Sequence, residues 1–221
     1  MLSTSELVRD TFRFIERQYE KERGSKESST RILTGFNYLD EETDLLRRGS
    51  VVCALGSHYT VRDWGLGLAH NVFKANNCVG YFSTNQSRGN PSYLDPAFNL
   101  LAKGNSLRPF DLGQGDIEDT DWPQLAKGAG TMASKEQQLH FSSDESPSLS
   151  EFFQMCRNLN QSLLQQSNEC GPLDLIIVDD LKRYFKRRRY RFTEQDILIL
   201  KRALKYIAIE LNVCIVLTVH R

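Results

Sequence analysis

Apolar and polar positions along the chain alternate between two regimes. The short runs Val51 to Leu55, Val79 to Ser83, Leu139 to Phe141, Leu173 to Asp179 and Val213 to Val219 have the length and β-branched content of strands. Between them, apolar residues recur at helical spacing near Asp63 to Ala75, near Tyr93 to Lys103, and from Leu149 to about Gln165, where Leu149, Phe152, Phe153, Cys156 and Leu159 share one side. After Thr193-Glu194-Gln195-Asp196 a last stripe follows, made of Ile197, Leu200, Leu204, Ile207, Ala208 and Leu211. Strand and helix in alternation predict an α/β fold, an open and mostly parallel sheet with helices on both faces. The run Leu173-Asp174-Leu175-Ile176-Ile177-Val178-Asp179-Asp180, preceded by Gly171-Pro172, reads as its central strand, buried on both sides. Ligands of such sheets bind beyond the carboxyl ends of the strands, so Asp179 is the first candidate site residue.

Ahead of this core, Ser3 to about Arg23 reads as one helix. Ser3-Thr4-Ser5-Glu6 has capping-box spacing, Val8, Phe12, Ile15 and Tyr19 form an apolar stripe, and Gly24-Ser25-Lys26-Glu27-Ser28-Ser29 is a polar tether. The predicted organisation is a linker helix and tether over residues 1–29 and one core domain over 30–221. The stripe needs cover, either from its own core or from a neighbouring subunit. A chain of 221 residues with 40% hydrophobic content buries one sizeable core. Its 28 basic and 28 acidic residues cancel, so nucleic-acid binding has to be argued from local charge.

Five cysteines, Cys53, Cys78, Cys156, Cys170 and Cys214, are an odd number without C-x-x-C spacing, which disfavours both a disulfide framework and a zinc site and predicts buried, reduced thiols. His58, His70, His140 and His220 lack metal-ligand spacing, so no metal site is expected. No apolar run approaches the ~20 residues of a membrane span, and the charged N-terminus lacks an apolar leader. A cytoplasmic protein without a membrane partner is expected.

The first apolar run leads into Gly56-Ser57-His58-Tyr59-Thr60-Val61-Arg62-Asp63-Trp64-Gly65. In phosphate-binding proteins of this topology the segment reads G-x-x-x-x-G-K-[ST]. Its glycines let backbone N–H groups cradle phosphate, the lysine neutralises it and the hydroxyl holds Mg²⁺. With Gly56 as the first glycine, Val61, Arg62 and Asp63 take the last three positions; with the register set by the following helix, Thr60, Val61 and Arg62 do. Neither register leaves a lysine. In the first, Arg62 lends a positive charge, but Asp63 points a carboxylate towards the phosphates, a repulsion of roughly 4 kcal/mol at about 4 Å and an effective dielectric of ~20. Val61 also resists the positive φ open to glycine. The expectation is a strand-to-helix turn no longer suited to triphosphate, with Gly56, Ser57, His58, Thr60, Val61, Arg62 and Asp63 as its remnants and no cofactor. ATP and Mg²⁺ enter only if Arg62 substitutes for the lysine.

Several further motifs come in a telling order. Glu6-Leu7-Val8-Arg9-Asp10-Thr11-Phe12-Arg13-Phe14-Ile15-Glu16-Arg17 precedes Thr34-Gly35-Phe36-Asn37-Tyr38-Leu39-Asp40. Then come Asp111-Leu112-Gly113-Gln114-Gly115-Asp116-Ile117 with Asp121-Trp122, and finally Leu204-Lys205 with Ala208 and Glu210-Leu211. Together they resemble the linker, the T-G-F-x-x-L-D entry, the L-x-x-G-x-L and D-W segments, and the last helix of the RecA-like motor domain of DnaB-type replicative helicases, hexameric ATPases that unwind DNA. The resemblance spans nearly all of the chain and implies a RecA-like P-loop NTPase fold. It also implies roles for single residues. Asp179 stands at the family's Mg²⁺-associated position, and His220 falls on or next to its sensor glutamine. Asn85, in Phe82-Ser83-Thr84-Asn85-Gln86-Ser87, stands where the family's F-S-L-E-M-S carries the glutamate that polarises water. An amide positions water but does not accept its proton. The sequence ends at Arg221, before counterparts of the family's DNA-binding loop, β-hairpin and arginine finger, so a truncated core is expected.

Lys182-Arg183-Tyr184-Phe185-Lys186-Arg187-Arg188-Arg189-Tyr190-Arg191 packs seven basic residues and three aromatics into ten positions. Lys182, Arg183, Lys186, Arg187, Arg188, Arg189 and Arg191 suit phosphates, and the aromatics suit stacking on unpaired bases of single-stranded DNA; a solvated loop or an acidic protein partner are the competing readings. The functional expectation is a catalytically inactive DnaB-helicase-like protein that binds a replicative helicase, itself or DNA, with the stripe Val8, Phe12, Ile15 and Tyr19 as its partner contact. The alternatives are an ATP-dependent helicase or ATPase subunit with an atypical phosphate loop, and a nonspecific DNA-binding protein.

Overall fold

The computed structural model describes residues 30–83, 100–102, 107, 117–134, 138–142, 147–166, 171–181, 185 and 194–220. Their elements run α1 (Asn37–Glu42), β1 (Val51–Gly56), α2 (His58–Lys74), β2 (Cys78–Ser83), α3 (Trp122–Ser134), β3 (Leu139–Ser142), α4 (Leu149–Gln166), β4 (Leu173–Asp179), α5 (Glu194–Glu210) and β5 (Cys214–His220). The strands form one sheet in the order β1-β5-β4-β2-β3, with every neighbouring pair parallel. β4 lies in the middle and is buried at all seven positions.

Alternation along the central strands divides the core in two. Leu175 and Ile177 of β4 and Cys214 and Val216 of β5 join Leu66, Ala69, Val72 and Phe73 of α2 on one face. Ile176 and Val178, with Ile215 and Leu217, meet Phe152 and Cys156 of α4 and Leu200 and Leu204 of α5 on the other. Because side chains of a strand point alternately to opposite faces, a strand buried on both must be apolar almost throughout, as β4 is. The stripes expected in α4 and α5 are the ones that cover the sheet. Residues 1–29, with Val8, Phe12, Ile15 and Tyr19, lie outside the described residues.

The motif Thr34 to Asp40 fastens the entry of the core to α2. The Asp40 carboxylate accepts the N–H groups of Thr34 (2.8 Å) and Gly35 (2.9 Å), and Asn71 Nδ2 donates to the Thr34 carbonyl at 3.2 Å. Gly35 has φ +72°, and a Cβ there would come within 2.7 Å of the Asn71 Cβ, so both conformation and space call for glycine.

Three expectations are corrected. α2 begins at His58, five residues before the Asp63 predicted from its apolar periodicity, because Ser57 caps it: Ser57 Oγ accepts the Thr60 N–H at 3.3 Å. α1 and α3 add to the helices that the apolar periodicity predicts; α3 contains Gly128 and Gly130 and buries only Leu125, so it carries little apolar period to read. Its start is held by Asp121, whose carboxylate accepts the Glu118 N–H at 3.0 Å. Finally, Cys78, Cys156 and Cys214 are buried, but Cys53 is exposed, since β1 is an edge strand paired only with β5. Among the described residues no helix is long and apolar enough to cross a membrane.

Candidate functional site

The carboxyl ends of β2, β4 and β5 and the first turns of α2 converge on Asp179. Its side chain is 1% exposed, and both oxygens are engaged: Thr218 Oγ1 donates to Oδ1 at 3.1 Å and Ser83 Oγ to Oδ2 at 3.3 Å. Arg62 Nε lies 3.7 Å from Oδ2, an ion pair between two buried side chains. The terminal nitrogens of Arg62, Nη1 and Nη2, are buried without a hydrogen-bond partner, as is the Tyr81 hydroxyl. Burial, and then the Asp179 charge, push the Tyr81 phenol well above the usual tyrosine range. Thr218 does a second task by accepting the Asp180 N–H at 2.8 Å. Asp180 has φ +58°, a left-handed conformation in which the chain leaves the sheet.

The phase of α2 explains why Arg62 turns inward. Val61, Gly65, Leu66, Leu68, Ala69 and Val72 are buried, and Arg62 lies three residues before Gly65 and seven before Ala69, on the same stripe. A Cβ on Gly65 would stand 3.3 Å from the Thr218 methyl, so this glycine brings the helix close to β5. Residues 58–63 are helical, and Asp63, about 100° further round the helix than the buried Arg62, is exposed.

Gly56 ends β1, and a Cβ there would lie 2.9 Å from Val61 Cγ1, so Val61 fills the space beside this glycine. Val61 is buried, whereas Tyr59 is exposed. Two of the amides here are used within the turn: Thr60 N–H goes to Ser57 Oγ and Val61 N–H to the Ser57 carbonyl at 3.1 Å, while the Ser57 and Thr60 hydroxyls bond each other at 2.7 Å. His58 is the first residue of the helix. In this arrangement the Asp179 carboxylate that would serve a metal faces Arg62 and two hydroxyl donors, and no lysine stands in residues 56–63 to meet a phosphate.

Asn85 and the basic positions Lys182, Arg183, Lys186, Arg187, Arg188, Arg189 and Arg191 lie outside the described residues; His220 ends β5, and only its backbone is described. Phe185, expected among the aromatics open to nucleobases, is corrected. It is 8% exposed and meets Phe152 edge-on at 5.3 Å, because an apolar ring beside the core gains more from burial than from solvent. Ser83, Thr218 and Tyr81 are site residues that sequence reasoning does not single out. A polar Thr218 inside the otherwise apolar run Cys214 to Val219 is the one signal that points to them, as buried hydroxyls are there to bond.

A second concavity, about 530 Å³, opens between the C-terminal half of α2 and α3. Phe73, Leu100, Leu101 and Met132 line it together with the basic Lys74 and Lys127.

The parallel sheet, the helices on both faces and the strand-end carboxylate define a RecA-like α/β domain of the ATPase type. Solved domains of that type superpose on it. One is a DnaB-like replicative helicase studied with its interactions with primase (TM-score 0.73, 18% identity, 93% of this chain and 47% of that one). Another is a chain solved as an ATPase domain (TM-score 0.71, 17% identity, 94% of this chain and 70% of that one). The model of the DnaB-like helicase C-terminal domain matches residues 32–220, and the chain belongs to that family. A curated relative, the replicative DNA helicase DnaB of Leifsonia xyli subsp. xyli (strain CTCB07), is 25% identical over 194 residues, which make up 86% of this chain. The chain spans 38% of the length of that relative.

Proposed function

We propose that this protein is a catalytically inactive DnaB-helicase-like protein of DNA replication, cytoplasmic, acting by association with replicative-helicase subunits or its own copies and not by nucleotide turnover. The observation that carries the reading is the engagement of Asp179 by Arg62, Ser83 and Thr218, with Val61 packed beside Gly56. The absence of a lysine in either register of residues 56–63 and the amide of Asn85 at the glutamate position support it. Phosphoryl transfer in this class depends on a lysine, a metal and a residue that orients water, and each is worth orders of magnitude in rate. A relative named as a replicative helicase and a structural neighbour studied with primase support a replication setting.

The association side rests on two complementary surfaces. The stripe Val8, Phe12, Ile15 and Tyr19 has the spacing of a helix that lies in an apolar groove, and the concavity floored by Phe73, Leu100, Leu101 and Met132 is the surface we assign to it on a neighbouring copy or helicase subunit. The basic run from Lys182 to Arg191 adds single-stranded DNA as a further partner.

The experiment combines two measurements. Mg²⁺-dependent ATP turnover is assayed with single-stranded DNA and a DnaB-type helicase present, and association is followed by size-exclusion chromatography with light scattering. Expected are no turnover attributable to this chain, and self-association or co-elution that Phe12→Asp and Met132→Glu each abolish. Turnover that Asp179→Ala removes would instead establish an ATPase in which Arg62 replaces the lysine. Binding of single-stranded DNA that weakens with salt and is lost when Arg187, Arg188 and Arg189 are neutralised would establish the DNA contact.

A further inference from the structure

At the end of β4, where the family implies a metal-bound nucleotide, the chain holds a cation of its own. We propose that the Arg62 guanidinium is an internal counter-ion for Asp179 that takes the place of a Mg²⁺–nucleotide and keeps the carboxyl ends of β4 and β5 in one state without any ligand. The inference rests on the inactive reading above and deepens it by naming the residue that closes the site.

A carboxylate only 1% exposed needs compensating charge and hydrogen-bond donors, and Ser83 and Thr218 donate to Asp179. Arg62 supplies the charge at 3.7 Å. An arginine that serves packing alone buries its stem and sends its terminal nitrogens to water. Arg62 does the opposite: Nη1 and Nη2 are buried and make no hydrogen bond, so the guanidinium is held inside by the charge it faces. A divalent ion and this guanidinium would compete for the same Oδ2. Mg²⁺ requires a near-octahedral set of oxygens at roughly 2.0–2.1 Å and strongly disfavours a fixed positive charge beside it.

A nucleotide that comes and goes gives such an edge two states. A guanidinium attached to α2 does not leave, so α2, β4 and β5 stay tied. Asp180 remains in its left-handed conformation through Thr218, and Leu181 and Phe185 remain packed in the core.

The test is a double-substitution cycle on the full chain by urea unfolding, joined to a metal titration. Arg62→Met lowers the folding equilibrium constant about 100-fold, because it leaves a buried charge unpaired. The pair Arg62→Met with Asp179→Asn regains at least about tenfold of that loss, because no charge is then left alone. The wild-type thermal midpoint is unmoved by Mg²⁺ with ADP. Arg62→Ala gains a Mg²⁺-dependent rise in midpoint that Asp179→Asn cancels. Additive losses, a wild-type midpoint that rises with Mg²⁺ and ADP, or an Arg62→Ala variant indifferent to Mg²⁺ would overturn the counter-ion. Should Arg62→Met not fold, a folded double variant is itself the recovery, and a double variant that does not fold counts against the proposal. An additive cycle leaves the association reading intact, whereas ATP turnover by the wild type overturns that reading whatever the cycle gives.

Discussion

The central strand carries a buried carboxylate at each end, and the two ends solve the same problem differently. At the amino end, Asp174 forms a charge-assisted hydrogen bond with Arg48 and accepts the Cys78 N–H at 2.8 Å, while Arg48 Nη1 reaches the Asn212 carbonyl at 3.2 Å. At the carboxyl end, Asp179 takes two hydroxyl bonds, and its arginine stands off at 3.7 Å with both terminal nitrogens unpaired. The first is a clamp, with the guanidinium bonded to both side chain and backbone. The second is a neutralised site, with charge balanced and hydrogen-bonding capacity left unused. At the amino end only Arg48 Nε is buried without a partner, whereas at the carboxyl end both terminal nitrogens of Arg62 and the Tyr81 hydroxyl are, so more of the unused capacity falls where the fold family conducts its chemistry.

Arg48→Met tests the clamp and has the largest expected effect. It leaves Asp174 buried without its cation and removes the bond to Asn212, and should lower the unfolding free energy by about 4 kcal/mol, read from urea denaturation. Arg62→Met is expected to follow at about 3 kcal/mol, since Asp179 keeps its two hydroxyl donors. If the order were reversed, the carboxyl end would be the clamp. Thr218→Val keeps the shape of the side chain but withdraws a donor from Asp179 and an acceptor from Asp180; a loss of roughly 1–2 kcal/mol by the same measurement is expected. No loss would mean that Thr218 is not what holds the strand end.

The smallest effect is on pH dependence. Burial raises the Asp174 carboxyl above its ordinary value, against the lowering influence of the Cys78 N–H and Arg48. The folded chain therefore binds this proton more tightly than the unfolded chain does. Between the unfolded value near 3.8 and the raised folded value, the contribution of Asp174 to stability grows as pH falls and is lost as pH rises through the folded value. Wild-type stability should decline less steeply on acidification through that window than that of Asp174→Asn. Parallel curves would show that the carboxylate is not destabilised by its burial.

Much of the fold was legible because its signals are local. All five strands read as apolar runs, and the stripes of α4 and α5 as helical spacing, since burial on a known face leaves a period in the sequence. The carboxylates flanking Leu175 to Val178 were equally plain. Other features left no such trace. α3 buries a single residue and so has no stripe, and Cys53 has the look of a core thiol although β1 is an edge. Phe185 reads as part of a basic run although its ring belongs to the core.

The sequence by itself determined the α/β alternation, the resemblance to DnaB-type helicases and the position of Asp179 at a strand end, because each depends on residues close together in the chain. It also established that residues 56–63 contain no lysine. The tertiary structure decided what those residues do. The capping of α2 by Ser57 sets the helix phase, the phase carries Arg62 to the buried side, and the insertion of β5 between β1 and β4 brings Thr218 to the carboxylate. Arg62, Ser83, Asp179 and Thr218 are far apart in sequence, so their meeting at one charge is a property of the sheet order and of nothing shorter.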